Sequence, residues 1–224
     1  MKSPTRRQLA GMIDHAVLQP DATLDDLRAA CRTARPLGVR SLCARPCDVA
    51  CAAELLGSSG VAVGTVIGFP HGASHPHVKI AETLQAVADG ANEMDMVINI
   101  GRLRDGDAQY VQEEIAGVVR AAGGRCVKVI LECCCLNEPQ IIAGCLAAER
   151  AGSAFVKTST GFGSHGATVE HVRLLRRQVS DRLGVKAAGG IRTLADALAM
   201  IEAGADRLGT SSTEDILAEA QPDR

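Results

Sequence analysis

The chain has 224 residues, of which 46% are hydrophobic and 22% charged, so one large globular domain with a substantial core is expected. The formal charge of −2 and the scarcity of aromatic residues (one Tyr, three Phe, no Trp) argue against nucleic-acid binding, which needs clustered cations and stacking platforms. No apolar run reaches the roughly 18 residues of a membrane span, so no membrane association is expected.

The N-terminal segment and the cysteines bear on the cellular compartment. The segment "MKSPTRRQLAGMIDH" carries basic residues but lacks the apolar stretch of a secretory signal. Nine cysteines, three of them consecutive at 133–135, do not suit a disulfide framework. We therefore expect reduced thiols and a cytoplasmic protein.

Short β-branched runs alternate along the chain with Ala- and Leu-rich stretches whose apolar residues lie three and four apart. Strands are predicted at residues 11–18, 39–44, 61–69, 93–100, 126–133, 153–159, 184–189 and 206–211. Eight strand–helix units of about 28 residues each predict the α/β class and a single-domain (β/α)8 TIM barrel over residues 1–224. An open doubly wound sheet is the alternative, but no GxGxxG fingerprint follows the first strand.

Two lysines end neighbouring predicted strands. Lys157 and Lys186 follow each other by 29 residues, one strand–helix period, in strands six and seven. If the barrel holds their amines together, like charge and desolvation disfavour protonation, and a neutral amine could attack a carbonyl. The alternative is that each lysine extends its amine into solvent at the strand end.

A carboxylate lies in the fourth predicted strand, "EMDMVIN". Strict alternation places Asp95 on one face with Glu93, Val97 and Asn99. In the upper part of the barrel, Asp95 could relay protons or hold a water near the amine. Alternatively it forms a salt bridge with a lysine of an adjoining strand, such as Lys128.

Glycines follow the last two predicted strands. The segment "AAGGIRT" contains Gly189 and Gly190, and "RLGTSS" contains Gly209 and Ser211. Loops after strands seven and eight commonly bind phosphate in this fold, because backbone N–H groups and helix N-termini converge there. Taken singly, a glycine pair is also typical of a tight turn.

The remaining polar clusters favour structural roles. Cys43, at the end of strand two, is placed near any ligand bound at the mouth of the barrel; Cys47, Cys51 and Cys133–Cys135 are interpreted as small buried hydrophobes. In a strand, Cys133–Cys135 would point alternately to opposite faces, and "HGASHPH" is interpreted as a solvated loop, so no metal site is expected. Lys79 and Glu82 are interpreted as an ordinary surface pair on a helix.

Eight segments together carry a resemblance to a known family. The chain resembles the deoxyribose-phosphate aldolases, class I aldolases of deoxynucleoside catabolism, over nearly its whole length. The matching segments are "IDHAVLQP", "LCARPCDVA", "VGTVIGFPHG", "GANEMDMVINIG", "KVILE", "AFVKTSTGFG", "VKAAGGIRT" and "RLGTSS". The combination of "KTSTGF" with "KAAGGIRT" is the specific part.

The resemblance implies roles for individual residues. Lys157 would form a Schiff base, Lys186 would perturb its pKa, and Asp95 would handle protons through a water. No metal or other cofactor is implied, and the partners would be a phosphorylated sugar and aldehydes. The oligomeric state stays open, a homo-oligomer included. Phosphate would be bound around Gly161, Gly189, Gly190, Gly209, Ser211 and Ser212.

The implied reaction is the reversible cleavage of 2-deoxy-D-ribose 5-phosphate to D-glyceraldehyde 3-phosphate and acetaldehyde. Departures from the family pattern are Ala16, where threonine is common, Arg45, where asparagine is common, and Cys133–Cys134. The alternatives are another Schiff-base aldolase or transaldolase of a phosphorylated sugar, and a non-catalytic barrel that binds a phosphate ligand.

Overall fold

The computed structural model describes residues 4–223, so the domain expected over residues 1–224 extends beyond the described residues at both ends. The strands are β1 Ile13–Val17, β2 Ser41–Ala44, β3 Ala62–Ile67, β4 Glu93–Val97, β5 Cys126–Ile130, β6 Phe155–Lys157, β7 Gly184–Ala188 and β8 Arg207–Thr210. The helices are α1 Arg6–Ala10, α2 Leu24–Leu37, α3 Val49–Leu56, α4 Pro76–Ala88, α5 Ile100–Arg104, α6 Ala108–Ala121, α7 Glu138–Arg150, α8 Val169–Gln178, α9 Leu194–Glu202 and α10 Thr213–Glu219.

The eight strands form one closed parallel barrel in chain order, and β8 pairs back onto β1. This confirms the predicted (β/α)8 barrel. Each strand lies inside its predicted segment but is shorter, because the flanking residues belong to the loops. The register sets Lys157 of β6 opposite Lys186 of β7, at the same height in the barrel.

Local signals in the sequence start several helices. Thr168 and Thr193 each accept a hydrogen bond from a backbone N–H of the first turn of α8 and α9, respectively. Helix α2 begins with a reciprocal capping box between Thr23 and Asp26. These caps fix where each loop at the mouth of the barrel ends.

The apolar core lies between the strands and the surrounding helices. Met94 and Met96 of β4 belong to this core, whereas the alternate residues Glu93 and Asp95 meet charged groups of other strands. The alternation predicted for β4 therefore holds within the strand. Asn99 was wrongly placed on it: β4 ends at Val97, and the Asn99 side chain instead caps α5.

The interpretation of Lys79 as a surface residue is wrong. Its side chain is fully buried, and Nζ donates to Glu114 Oε2 of α6 and to the carbonyl oxygen of Val97, each at 2.8 Å. Glu82 accepts a hydrogen bond from the backbone N–H of Gly68 instead. The local spacing failed here because the true partner of Lys79 lies 35 residues further along the chain.

The strand predicted through residue 133 is also too long. After β5, Cys133–Cys135 form one 3₁₀ turn, in which Cys133 is buried and Cys135 exposed. All nine cysteines are free thiols, and residues 4–223 contain no cluster of three or more metal-ligating side chains. Within the same range, every helix is too short or too polar to cross a lipid bilayer.

Candidate active site

A cavity of about 580 Å³ opens at the C-terminal ends of the strands. Its wall contains eight of the ten residues that the sequence singled out: Cys43, Lys157, Gly161, Lys186, Gly189, Gly190, Gly209 and Ser211. Asp95 does not line the cavity, but it accepts hydrogen bonds from Lys157 and Lys186, which do. Ser212 is set back from the cavity, and its backbone N–H donates to Thr210 Oγ1. The structure therefore brings together all of the predicted residues except Ser212.

The two lysines share a carboxylate. Lys157 Nζ and Lys186 Nζ each lie 2.7 Å from Asp95 Oδ2, and Lys128 Nζ lies 2.9 Å from Asp95 Oδ1. The salt bridge to Lys128 that the sequence left open is therefore present, and the same carboxylate lies beside the Lys157 amine. The lysines do not extend into solvent, since Lys157 is only 3% exposed and Lys186 only 1%.

These groups belong to a larger buried charge cluster inside the barrel. Its members come from six strands and are Asp14, Glu93, Asp95, Lys128, Lys157, Lys186 and Arg207. Fully ionised, the cluster holds four cations and three carboxylates, an excess of one positive charge. Burying an uncompensated charge is costly, so the loss of one proton from one lysine would balance the cluster.

The contacts select which lysine loses that proton. Lys128 lies within 3.2 Å of three carboxylates, those of Asp14, Glu93 and Asp95. Lys186 contacts Asp14 and Asp95, whereas Lys157 contacts Asp95 alone. Lys157, at the end of β6, therefore has the fewest anionic partners of the three lysines.

The pKa shifts follow the same order. Burial lowers the pKa of Lys157 below its ordinary value; Asp95 opposes this, and the positive charge of Lys186 adds to it. Burial also acts on Lys186, but Asp14 and Asp95 outweigh it and raise its pKa. Desolvation is therefore the main cause of the lowered pKa of Lys157, and the neighbouring cation is a smaller contributor.

Asp95 stays ionised between the lysines. Burial by itself would raise its pKa, but Lys128, Lys157 and Lys186 together hold that pKa well below the usual range. An ionised carboxylate one hydrogen bond from a neutral amine can accept and return protons. The site therefore combines a nucleophile with a proton acceptor, in the arrangement expected of covalent catalysis by an amine.

The glycine loops that follow β6 and β7 also line the cavity. Gly189 has φ +85°, and a Cβ placed on it would lie 2.9 Å from Cα of Gly166 and 3.2 Å from Cα of Gly161. The β6–α8 and β7–α9 loops thus meet backbone to backbone, which only glycine allows. A wall of bare backbone beside the start of α9 leaves N–H groups available to an oxyanion.

One residue that holds this wall was missed in the sequence. Glu132 has φ +56° and is buried, and it accepts hydrogen bonds from the backbone N–H (3.2 Å) and the hydroxyl of Thr160. The Thr160 hydroxyl oxygen in turn accepts the N–H of Phe162, which lines the cavity. The available signal was a carboxylate close to the C-terminal end of a buried strand, two residues after Ile130.

The departures from the family pattern fall at different distances from the cavity. Ala16 and Cys43 line it, and burial raises the pKa of the Cys43 thiol to about 11, so the thiol stays protonated at neutral pH. Arg45 is turned away: its Nε lies 2.7 Å from Asp48 Oδ2, and it donates to the carbonyl oxygen of Pro20. Ala16 is therefore the departure that lies on the cavity surface, whereas Cys43 lines the cavity but is not a departure from the family pattern.

Comparisons with known proteins agree with this geometry. Residues 9–218 match the family model described as DeoC/LacD family aldolase. A protein named deoxyribose-phosphate aldolase from Caldanaerobacter subterraneus subsp. tengcongensis is 48% identical over 221 residues, which are 97% of this chain and 96% of that protein. Its namesake from Methanothermobacter thermautotrophicus is 50% identical over 218 residues, 97% of each chain.

A solved structure is similar as well. The tetrameric deoxyribose phosphate aldolase from Aeropyrum pernix superposes with a TM-score of 0.90 at 34% identity, covering 96% of this chain and 91% of that one. The family match spans nearly all of the barrel, including every strand that contributes to the charge cluster. This chain belongs to the DeoC/LacD family of aldolases.

Proposed function

We propose that this protein is a deoxyribose-phosphate aldolase that cleaves 2-deoxy-D-ribose 5-phosphate reversibly through a Schiff base on Lys157. The observation that carries the proposal is the position of Lys157. It is a buried amine with a single carboxylate partner, on the wall of a cavity that is also lined by glycine-rich backbone. Relatives about half identical over nearly the whole chain carry the same name.

In the proposed reaction, the neutral Lys157 amine attacks C1 of the open-chain sugar, and loss of water gives an iminium ion. The C3 hydroxyl then gives up its proton, and the C2–C3 bonding electrons move into the C1–C2 bond as the iminium becomes an enamine. D-Glyceraldehyde 3-phosphate leaves. Protonation of C2 restores the iminium, and water then releases acetaldehyde and the free amine.

The protein supplies the groups that these steps need. Asp95, bonded to Lys157 and Lys186, is positioned to accept and return the protons. The backbone of Gly161, Gly189 and Gly190, with Gly209 and Ser211 beside it, would hold the phosphate. Ser212 is set back from the cavity, so we propose no phosphate contact for its side chain.

We also propose that the protein acts in the cytoplasm and assembles as a homo-oligomer. The free thiols support the first proposal, and the tetramer of the Aeropyrum pernix relative supports the second. Size-exclusion chromatography with light scattering tests the assembly. A monomer at micromolar concentration would contradict it.

The function is tested by following acetaldehyde release from 2-deoxy-D-ribose 5-phosphate, with Lys157→Met as the inactive reference. Cleavage by the native chain, with a loss of at least about 10³-fold in the variant, is expected. Faster cleavage of a ketose phosphate would indicate another aldolase of the family. Phosphate-ligand binding without cleavage of any sugar would indicate a non-catalytic barrel.

A further inference from the structure

Four residues of the buried charge cluster do not line the cavity: Glu93, Asp95, Lys128 and Arg207. Two of these four, Glu93 and Arg207, form an ion pair with each other. Arg207 NH1 is 2.6 Å from Asp14 Oδ1 and 3.1 Å from Glu93 Oε2, and its guanidinium lies over the Phe155 ring. Glu93 Oε2 is also 2.7 Å from Lys128 Nζ. Neither Glu93 nor Arg207 lines the cavity, so neither touches a molecule bound there.

This pair is nevertheless connected to the reactive amine through consecutive ion pairs. Arg207 contacts Asp14, Asp14 contacts Lys186, and Lys186 shares Asp95 with Lys157. Arg207 is also the register partner of Lys186, which is the register partner of Lys157. Two strand spacings separate Arg207 from Lys157, roughly 10 Å.

The other groups around these side chains fix the charge count. Lys157 faces Asp95 of β4, Lys186 of β7 and Cys43 of β2. Arg207 and Glu93 face Asp14 of β1, and Lys128 and Cys126 of β5. Arg40, which precedes β2, also lies 3.7 Å from Glu93, but its side chain is 58% exposed, so solvent screens its charge and it is not counted with the buried cluster. Burial raises the pKa of both thiols to about 11, so they add no charge at neutral pH.

We propose that Glu93 and Arg207 are positioning residues that decide whether Lys157 carries a proton, through the charge balance of the cluster and without touching the substrate. With Arg207 present, the four cations exceed the three carboxylates, and the excess is relieved when Lys157 becomes neutral. Without Arg207, three lysines match three carboxylates, and Lys157 keeps its proton. Without Glu93, the excess rises to two, and Lys157 loses its proton more easily.

The inference rests on the proposed function for its kinetic readout, the pH profile of kcat/KM, whose acid limb reports the pKa of the essential amine. One unit charge at roughly 10 Å, at the effective dielectric constant of about 20 that suits buried sites, moves a pKa by about one unit. Arg207→Met should therefore move the acid limb up by about one pH unit. Glu93→Gln should move it down by a similar amount.

The double variant and a charge-conserving variant separate this effect from a loss of packing. Methionine can still cover the Phe155 ring, and the combined Glu93→Gln and Arg207→Met variant restores the original charge excess. Its acid limb should return to the native pH. Arg207→Lys keeps the charge and should leave the limb in place, whatever it does to kcat.

A purely structural role predicts lower kcat in all variants with an unmoved acid limb, and that result would overturn the inference. If Arg207→Met does not fold, as judged by circular dichroism, the acid limbs of Glu93→Gln and Arg207→Lys are compared instead. The inference holds if the limb moves down in Glu93→Gln and stays in place in Arg207→Lys, and it fails if neither limb moves. A readout without turnover is the pH dependence with which acetic anhydride modifies Lys157, mapped by peptide mass spectrometry. It should show the same opposite shifts even if the native chain cleaves no deoxyribose phosphate.

Discussion

Lys157 and Lys186 donate hydrogen bonds to the same atom, Asp95 Oδ2, and the N···O distance is 2.7 Å in both bonds. The two amines therefore compete for one oxygen, and Lys186 has a second anionic partner in Asp14 while Lys157 has none. This asymmetry keeps the charge on Lys186 and leaves Lys157 as the amine that is deprotonated first.

Removing the charge of Lys186 should lower the activity at neutral pH, because it should raise the pKa of Lys157. The folded-state pKa of Lys157 is lowered, and kcat/KM falls as the pH drops through it, because only the neutral amine attacks the carbonyl. Lys186→Met removes a repelling cation and frees Asp95 for Lys157, so both effects raise that pKa. We expect the acid limb of kcat/KM to move up by about one unit and kcat/KM at pH 7 to fall by up to about tenfold.

Lys186→Arg is the matched control, because it keeps the positive charge beside Asp95. Its acid limb should stay closer to the native position than that of Lys186→Met. Identical limbs in the native chain and in Lys186→Met would show that Lys186 does not influence the protonation of Lys157.

Gly189→Ala should disturb the proposed phosphate wall. The new Cβ would lie 2.9 Å from Cα of Gly166, so the β6–α8 and β7–α9 loops must separate. We expect KM for the phosphorylated sugar to rise by at least about tenfold, with a smaller change in kcat. The control is Gly124→Ala, at φ +84° with no atom within 4 Å of its Cβ and away from the cavity.

Both variants carry the same backbone strain, about 1 kcal/mol, so both should lower the free energy of unfolding. Steady-state kinetics and urea titration measure the two quantities. If KM rises equally in both variants, the effect comes from strain and not from the contact between the loops.

Glu132→Gln should weaken the hydrogen bonds that hold the β6–α8 loop in the proposed phosphate wall. The substitution keeps the shape of the side chain but removes the charge that strengthens its hydrogen bonds to Thr160. We expect a loss of about 1–3 kcal/mol in the free energy of unfolding, together with a higher KM. The exposed Glu138→Gln is the control, and equal effects of the two substitutions would show that Glu132 does not hold the loop.

The buried pair between Lys79 and Glu114 should behave differently, as a determinant of stability remote from the cavity. Lys79→Met leaves the Glu114 carboxylate buried without its cation, at a cost of about 3–5 kcal/mol in the free energy of unfolding. Adding Glu114→Leu removes the orphaned charge, so the double variant should recover much of that loss. Urea unfolding of the single and double variants checks this, and additive losses would contradict the pairing.

The fold could be predicted from the sequence because its signals are local and repeated. Alternating periodicities give the eight units, and threonines such as Thr168 and Thr193 sit where helices begin. The strand ends could not be located to the residue: the apolar pattern runs past Ile130 into residues that form a 3₁₀ turn.

The site could be predicted only in part, for a physical reason. Lys157 and Lys186 were found because they lie one strand–helix period apart and end neighbouring strands, so their proximity follows from the fold. Arg207 and Asp14 lie 193 residues apart, and Lys79 and Glu114 lie 35 apart, so their pairing depends on how the barrel closes and how its helices pack. Such partners are fixed by tertiary structure, and local spacing pointed Lys79 to Glu82 instead.

The most direct test of the central claim is reductive trapping. The native chain is incubated with acetaldehyde or 2-deoxy-D-ribose 5-phosphate at neutral pH, reduced with borohydride, digested and mapped by mass spectrometry. One stable adduct is expected on Lys157, absent from Lys157→Met and weaker in Lys186→Met at the same pH. An adduct on Lys186 or Lys128 in place of Lys157, or sugar cleavage with no adduct, would contradict it.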